Sequence, residues 1–512
     1  MRSVAPDSRL DDVPDVADVP DVPAVPAANI VDPTSIVTVS GAESRRRLVR
    51  IASVATRRLG PVLVARPFVR DDDRRREQLG AALASTVTDL GVTFVKLGQL
   101  LASSPSIAGE ILANAMRGVL DEGPAVPFDQ VRRIIEEDLG RRLEQVFSSF
   151  DRSPFAAASL AVVHKAVLLD GAEVAVKVLR PDSARLVATD LSLVRPFVRR
   201  LAQLAPVGVM PAVPETVAGL AEQLSEELDL RNEAKIMDWF AAMTEVIGAR
   251  GVRVPKTMPA ASGRRVLTME FIEGSKVDDL EAIADGAIDA RAAVEALIES
   301  WFALTLCTGV FHGDMHAGNL LLTPAGEVVL LDWGIVGRLP AASQRFFRRS
   351  LEGALGDETA WPEVRDHLLS TTPPELLESV GITPEMFLQM VRAQTLMIMT
   401  SPFSELNLMM LSPTAALPAG DLPPSPKTPL GWLRLIREER ARVRQGGGSS
   451  ALMDQSPPPR GEMLLIKQLI FFERYGKLFL GDQPLLYDPA VYRTLLAVTS
   501  DDSNQTTKIG RN

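Results

Sequence analysis

The sequence predicts an α+β fold, and three observations carry that prediction. Two apolar, β-rich stretches close on tight turns, AVVHKAVLLDGAEVAVKVL and LLLTPAGEVVLL. Helical periodicity fills the chain between and around them. A 46% hydrophobic content over 512 residues supplies core for two or three domains.

Residues 1–43 open with Asp-Val-Pro units, DDVPDVADVPDVPAVP. Proline at that density prevents helix and strand pairing, so an acidic disordered tail is expected there. The charged-then-apolar pattern of a secretory leader is absent from this stretch.

Residues 44–149 read as a helical subdomain. SRRRLVRIASVATRRLG suggests an amphipathic helix over Arg45–Arg58. It either lies on an anionic membrane, with Leu48, Ile51 and Val54 beneath the headgroups, or packs on its own domain. From Leu79 to Leu139 the apolar spacing is helical, with glycine and proline mainly at breaks.

Residues 150–275 contain the first hairpin, turned at Asp170-Gly171 and carrying Lys177, then a helical insert over Leu186–Ile247, then the strand RRVLTMEFIEG. Residues 276–412 contain the second hairpin, whose strands Leu320–Leu322 and Val328–Leu331 are joined by Pro-Ala-Gly. Residues 413–460 are rich in proline, glycine and serine and read as a flexible linker. A C-terminal helical extension and tail, residues 461–512, is expected to dock on the preceding lobe.

Composition excludes several functions. One cysteine, Cys307, rules out an internal disulfide and any multi-cysteine zinc site, and four histidines argue against a histidine-rich metal cluster. A net charge of −10 argues against nucleic acid as the main partner. No stretch reaches the roughly 20 apolar residues that span a bilayer. WFALTLCTGVF and the lysine-interrupted MLLIKQLIFF read as buried helix segments. The expected setting is cytoplasmic, with any membrane contact peripheral, on the inner face of the plasma membrane.

The second hairpin carries the chemistry. FHGDMHAGN packs two histidines, an aspartate and an asparagine into nine residues, Phe311–Asn319. His312, Asp314 and His316 could ligate a metal directly, or Asp314 and Asn319 could serve phosphoryl transfer. The flanking hairpin favours the second, because it ends in a further carboxylate, Asp332. Transfer from ATP needs a carboxylate to orient the attacking group and oxygen ligands for magnesium. Asp314, Asn319 and Asp332 supply that set. Upstream, VAVK ends in Lys177, a strand lysine able to pair with ATP phosphates. The stretch EELDLRNEA offers Glu227, Asp229 and Glu233; Glu227 and Glu233 lie six positions apart, off one narrow helical face, and so could have different partners. Where a glycine-rich loop would cover the phosphates, the chain has Ala156, Ala157, Ala158 and Ser159.

These motifs, in this order, resemble the UbiB-like (AarF-type) atypical kinase family, related to the coenzyme Q-linked kinases of mitochondria. The likeness runs over roughly Leu79–Leu339. The diagnostic Lys-x-Gly-Gln appears as Lys96-Leu97-Gly98-Gln99, the alanine-rich loop as Ala156–Ser159, the nucleotide lysine as Lys177 and Glu-x-Asp as Glu227-Leu228-Asp229. The resemblance implies a two-lobed protein-kinase-like fold with an added N-terminal helical subdomain. It implies that Glu233 pairs with Lys177, that Asp314 is the catalytic-loop aspartate, and that Asn319 and Asp332 hold Mg2+. Lys96 and Gln99, beside Glu227 and Asp229, would fold a regulatory helix over the nucleotide site, and Glu270 joins the nucleotide-contacting set. ATP and Mg2+ are the implied ligands, with a small or lipid-associated acceptor and a setting in isoprenoid-quinone or lipid metabolism.

The chain also departs from the family. SLAVVH stands where Ser-Ile-Gly-Gln-Val-His is usual, so Leu160, Ala161 and Val162 replace a glycine and a glutamine among others. Losing that glycine stiffens the phosphate-covering loop. Met315 and Ala317 stand where proline is frequent, and Trp333 replaces a phenylalanine. Two alternatives stay open: a small-molecule phosphotransferase of the aminoglycoside-kinase type, which shares the catalytic hairpin, and a nucleotide-binding pseudokinase regulator.

Overall fold

The structure, a computed structural model, describes residues 23–65, 71–102, 126–204, 212–249, 251–286, 288–371, 377, 381–407 and 460–500. The helical subdomain comprises α1 (Gly41–Ala65), α2 (Asp72–Leu90) and α3 (Val92–Ala102), with α4 (Phe128–Leu139) following. An antiparallel sheet then forms from β1 (Phe147–Phe150), β2 (Ala156–Ala157), β3 (Ala161–Leu168), β4 (Glu173–Leu179) and β6 (Val266–Glu270), in the order β1-β3-β4-β6 with β2 paired to β3. The Asp170-Gly171 turn joins β3 to β4, and Gly171 takes φ +91°, which a glycine adopts without a Cβ clash.

Strand periodicity decides where Lys177 points. In β4 the side chains of Val174, Val176 and Val178 bury against Val131, Ile134 and Ile135 of α4. Ala175 and Leu179 belong to the other core, so Lys177 falls on that opposite face. A one-residue slip would turn the lysine toward α4. The helix Phe128–Leu139, expected within the helical subdomain, thus serves as the backing of this sheet.

The expected helical insert is broken into α5 (Ser183–Leu204), α6 (Ala212–Glu227) and α7 (Leu230–Val246). EELDLRNEA, read above as one helical stretch, is split at Leu228-Asp229, because the Asp229 carboxylate accepts the Arg231 N–H and caps α7.

The second lobe is built around α8 (Ala290–Thr308), whose Trp301 and Phe302 pack against Phe311, Phe347, Phe472 and Tyr492. Its sheet runs β5-β10-β9-β7, from β5 (Val252–Arg253), β7 (Ser275–Lys276), β9 (Leu320–Leu322) and β10 (Val328–Leu330). Beside it β8 (Val310–His312) pairs with β11 (Val336–Arg338). A late helix, α9 (Arg460–Phe479), packs on α8 and β11.

One expectation changes. Residues 23–40, placed in a disordered tail, cross the body instead: Trp239 Nε1 donates to the Pro23 carbonyl at 2.8 Å, the Asn29 N–H to Asn232 at 2.8 Å, and Arg195 pairs with Asp32 at 2.6 Å. Proline keeps this segment mostly extended, apart from a single helical turn at Pro33–Ile36 that starts on a proline, and leaves its carbonyls available as acceptors. Residues 1–22 lie outside the described residues, as does nearly all of the linker expected at 413–460. The Arg45–Arg58 helix, for its part, packs on its own domain: Val54 is buried, and Arg47 turns inward to Asp190 at 2.6 Å, while Leu48 and Val49 stay exposed. Among the described residues no helix is long and apolar enough to cross a membrane.

Candidate active site

Lys177 is the centre of the site. Its Nζ donates to both Glu233 oxygens, at 2.7 and 2.9 Å, and to Asp332 Oδ1 at 3.0 Å. β4 supplies the lysine, the first turn of α7 supplies Glu233, and the second hairpin supplies Asp332. Burial works against the charge on Lys177, but Asp332 and then Glu233 outweigh it and hold the ammonium above the usual lysine range. Burial likewise disfavours ionised Asp332, and Lys177 reverses this, keeping the carboxylate well below its ordinary value. Asp332 takes φ +53°, the left-handed region where a non-glycine residue is under strain of about 1–3 kcal/mol. The Gly334 N–H, donating to Asp332 Oδ1 at 3.3 Å, and Lys177 hold it there.

The next residue ties the two lobes together. The Trp333 N–H donates to Glu233 Oε1 at 3.1 Å, and its indole N–H to the Leu330 carbonyl at 3.0 Å. Its ring lies 4.2 Å from Phe240 of α7 and 4.6 Å from His312, centroid to centroid. The Trp333 backbone thus touches the partner of Lys177, a contact that residue type does not reveal.

His312 is a support. Burial lowers its pKa and keeps the ring neutral, with Nε2 3.0 Å from the Leu331 carbonyl and Nδ1 accepting the Asp314 N–H at 3.1 Å. The Asn319 amide nitrogen donates to the Asp314 carbonyl at 2.9 Å, so its side-chain oxygen is the atom left for a cation. His316 is half exposed, its Nε2 4.0 Å from Asp314 Oδ2. Among the described residues no three His, Cys, Asp or Glu side chains converge as a metal site, which removes the direct His312–Asp314–His316 ligand set.

Lys96 reaches Glu227 at 2.9 Å, and Gln223 donates to the same oxygen at 3.0 Å. Asp229, grouped with this pair from sequence, does not join it: besides capping α7, it holds Arg231 at 2.6 and 2.8 Å. The Gln99 side chain lies outside the described residues. Ala156 and Ala157 form β2 and are exposed, the Ala158 carbonyl accepts from Arg180 Nε at 3.1 Å, and Ser159 is buried. Glu270, expected among nucleotide contacts, has its carboxylate on Arg253, while its N–H donates to the Lys256 carbonyl at 2.8 Å. Its place at the end of β6 turns the side chain toward β5 rather than toward Lys177.

The sequence reading missed the partners that α9 brings to the Phe311–Asn319 loop, the charged one among them being Lys467. Lys467 of α9 donates to Asp314 Oδ1 at 2.7 Å. Its one trace in the sequence is the lysine that interrupts MLLIKQLIFF.

Comparison with known proteins finds one family and relatives named for it. Residues 118–360 match the ABC1 atypical kinase-like domain. The uncharacterized protein Rv0647c of Mycobacterium tuberculosis is 41% identical over 274 residues, 53% of this chain and 56% of that protein. The chain therefore spans little more than half the length of that relative. The probable protein kinase UbiB of Pseudomonas aeruginosa is 33% identical over 60% of this chain and 61% of its own. An uncharacterized chloroplastic aarF domain-containing protein kinase of Arabidopsis thaliana is 29% identical over 78% and 72%. A solved structure, a complex of Rv3197 with erythromycin from Mycobacterium tuberculosis, matches with a TM-score of 0.43 and 22% identity over 81% of this chain and 97% of that one. The segment 118–360, which carries Lys177, Glu233, Asp314, Asn319 and Asp332, is thus similar to the ABC1 atypical kinase-like domain, and its relatives include proteins named UbiB and aarF domain-containing kinase.

Proposed function

We propose that the chain binds Mg-ATP between its lobes and acts as an atypical kinase or ATPase, passing the γ-phosphoryl group to a small or lipid-associated acceptor or to water. The observation that carries this reading is the Lys177 ammonium, bonded at once to Glu233 of one lobe and Asp332 of the other. A buried lysine held by a helix carboxylate is an anchor for nucleotide phosphates. Isoprenoid-quinone or lipid metabolism is the setting that the UbiB resemblance supplies.

Magnesium suits the donors present. Mg2+ is usually held by one or two carboxylates together with substrate phosphates, and Asp332 with the Asn319 oxygen is such a set. Bound there, it would neutralise charge on the phosphates. Asp314 is the base: burial disfavours its charge, yet Lys467 and His316 keep its pKa below the ordinary carboxylate value, so it is ionised and can take the acceptor's proton. The Lys96–Glu227 contact ties the helical subdomain to α6, just before the helix that bears Glu233, and would exclude peptide substrates from the cleft.

The test is to incubate the purified chain with γ-labelled ATP and lipid extract and follow the label, with Asp314→Asn and Asp332→Ala beside it. Transfer or phosphate release that Asp314→Asn abolishes, with Mg-nucleotide affinity lost in Asp332→Ala, is the expected result. Tight Mg-nucleotide binding without turnover would replace this reading with a binding-only regulator.

A further inference from the structure

The loop FHGDMHAGN contains no lysine or arginine, so its own segment supplies Asp314 with no permanent cation. The fold imports one from 153 residues downstream, Lys467. The contact is anchored on both sides of the aspartate. Gln468 donates to the Gly313 carbonyl at 2.7 Å and accepts the Met315 N–H at 2.9 Å, and the Tyr475 hydroxyl donates to the Met315 carbonyl at 2.7 Å. Gln468 and Tyr475 are fully buried. Further along α9, Phe472 packs 5.1 Å from Trp301, and Gly461 lies so close to the Arg338 carbonyl that a Cβ would collide with it. A helix fixed by buried hydrogen bonds and core packing is a permanent wall of the site rather than a detachable lid.

We propose that Lys467 is a positioning residue for the phosphoryl transfer proposed above, holding Asp314 by Oδ1 so that Oδ2 is presented to the acceptor. The inference rests on that functional reading. His316, half exposed, lies on the Oδ2 side, which marks that oxygen as the one facing the open side of the loop. In the step, the acceptor oxygen forms a bond to the γ-phosphorus as the bond from that phosphorus to the β–γ bridging oxygen breaks. The acceptor's proton passes to Asp314 Oδ2, and ADP leaves with the bridging oxygen. Lys467 exchanges no atom; it fixes the carboxylate that does.

Steady-state turnover of ATP and calorimetric affinity for Mg-ADP, measured on the full chain, test this in wild type, Lys467→Met and Lys467→Arg, with a melting curve for each. Lys467→Met should lower kcat by about 10- to 100-fold, up to the lower end of what losing an acid–base group outright costs because Asp314 itself remains, with Mg-ADP affinity within about twofold of wild type. Lys467→Arg should recover most of the loss. An unchanged kcat overturns the proposal. A raised kcat also overturns it, because Lys467 would then block the acceptor's place. A fall in kcat matched by an equal fall in Mg-ADP affinity, or by unfolding of both variants, reduces Lys467 to a structural contact and overturns it as well. If wild type binds Mg-ADP but turns over no ATP, the phosphotransfer reading fails and this inference fails with it. That pattern differs from a wild type that is active and indifferent to the substitution.

Discussion

Lys177 and Asp314 are each held by opposite charge, but on different terms. Lys177 is 9% exposed and answers two carboxylates, whereas Asp314 is 20% exposed and answers one ammonium that is itself 39% exposed. The first arrangement is a network closed around Lys177 and Glu233, so that removing the lysine strands Glu233 in a dry interior, and only Asp332, 40% exposed, meets water. The second has water at its edge, and the remaining charge can rehydrate. Exposure therefore decides whether a charged contact in this cleft serves stability or orientation.

The largest effect follows from the closed network. Lys177→Ala leaves Glu233 buried without its cation, while Asp332, 40% exposed, can rehydrate, and urea unfolding should show a loss of about 3 kcal/mol. Lys467→Met should cost about 1 kcal/mol or less by the same measurement. Equal losses would break the contrast between the two contacts.

An intermediate case sharpens it. The Lys96–Glu227 pair is 9% and 12% exposed, between the two extremes in its access to water. A double-mutant cycle with Lys96→Ala and Glu227→Ala should give a coupling of about 1–2 kcal/mol. Strict additivity would mean that Lys96 and Glu227, as a pair, add nothing to holding the helical subdomain on the lobe.

The smallest effect concerns the sheet behind Lys177. His164 of β3 is buried, and burial lowers its pKa, opposed by the Asp151 carbonyl 2.9 Å from Nδ1. The unfolded chain takes up that proton near pH 6.5 while the fold resists it, so the contribution is present above about pH 6.5 and is lost as pH falls toward the depressed folded value. Melting curves between pH 8 and pH 5 should show a decline that His164→Phe reduces, by about 1 kcal/mol at most. A decline of the same size in the variant would assign the pH dependence to other groups.

How much could be read in advance differs along the chain. The hairpin at Asp170-Gly171 and the strands flanking Pro-Ala-Gly were legible because turn chemistry and period-two burial are local. The break between Glu227 and Leu230 was not: EELDLRNEA has continuous helical composition, and only the capping hydrogen bond of Asp229 ends one helix and begins the next. Glu270 was placed with the nucleotide contacts by the family resemblance, yet its carboxylate pairs with Arg253.

By itself the sequence determined the strand that carries Lys177 and the hairpin that bears Asp314, Asn319 and Asp332. Those are consequences of side-chain alternation and turn residues, which act over a few positions. Only the tertiary structure decided that residues 23–40 cross the body, that Asp229 caps a helix instead of meeting Lys96, and that a lysine 153 residues beyond Asp314 is its ion partner. Such contacts depend on which helix the core places against the loop. Helical periodicity gives α9 a buried face, but the partner of that face is chosen by shape and burial across the whole lobe.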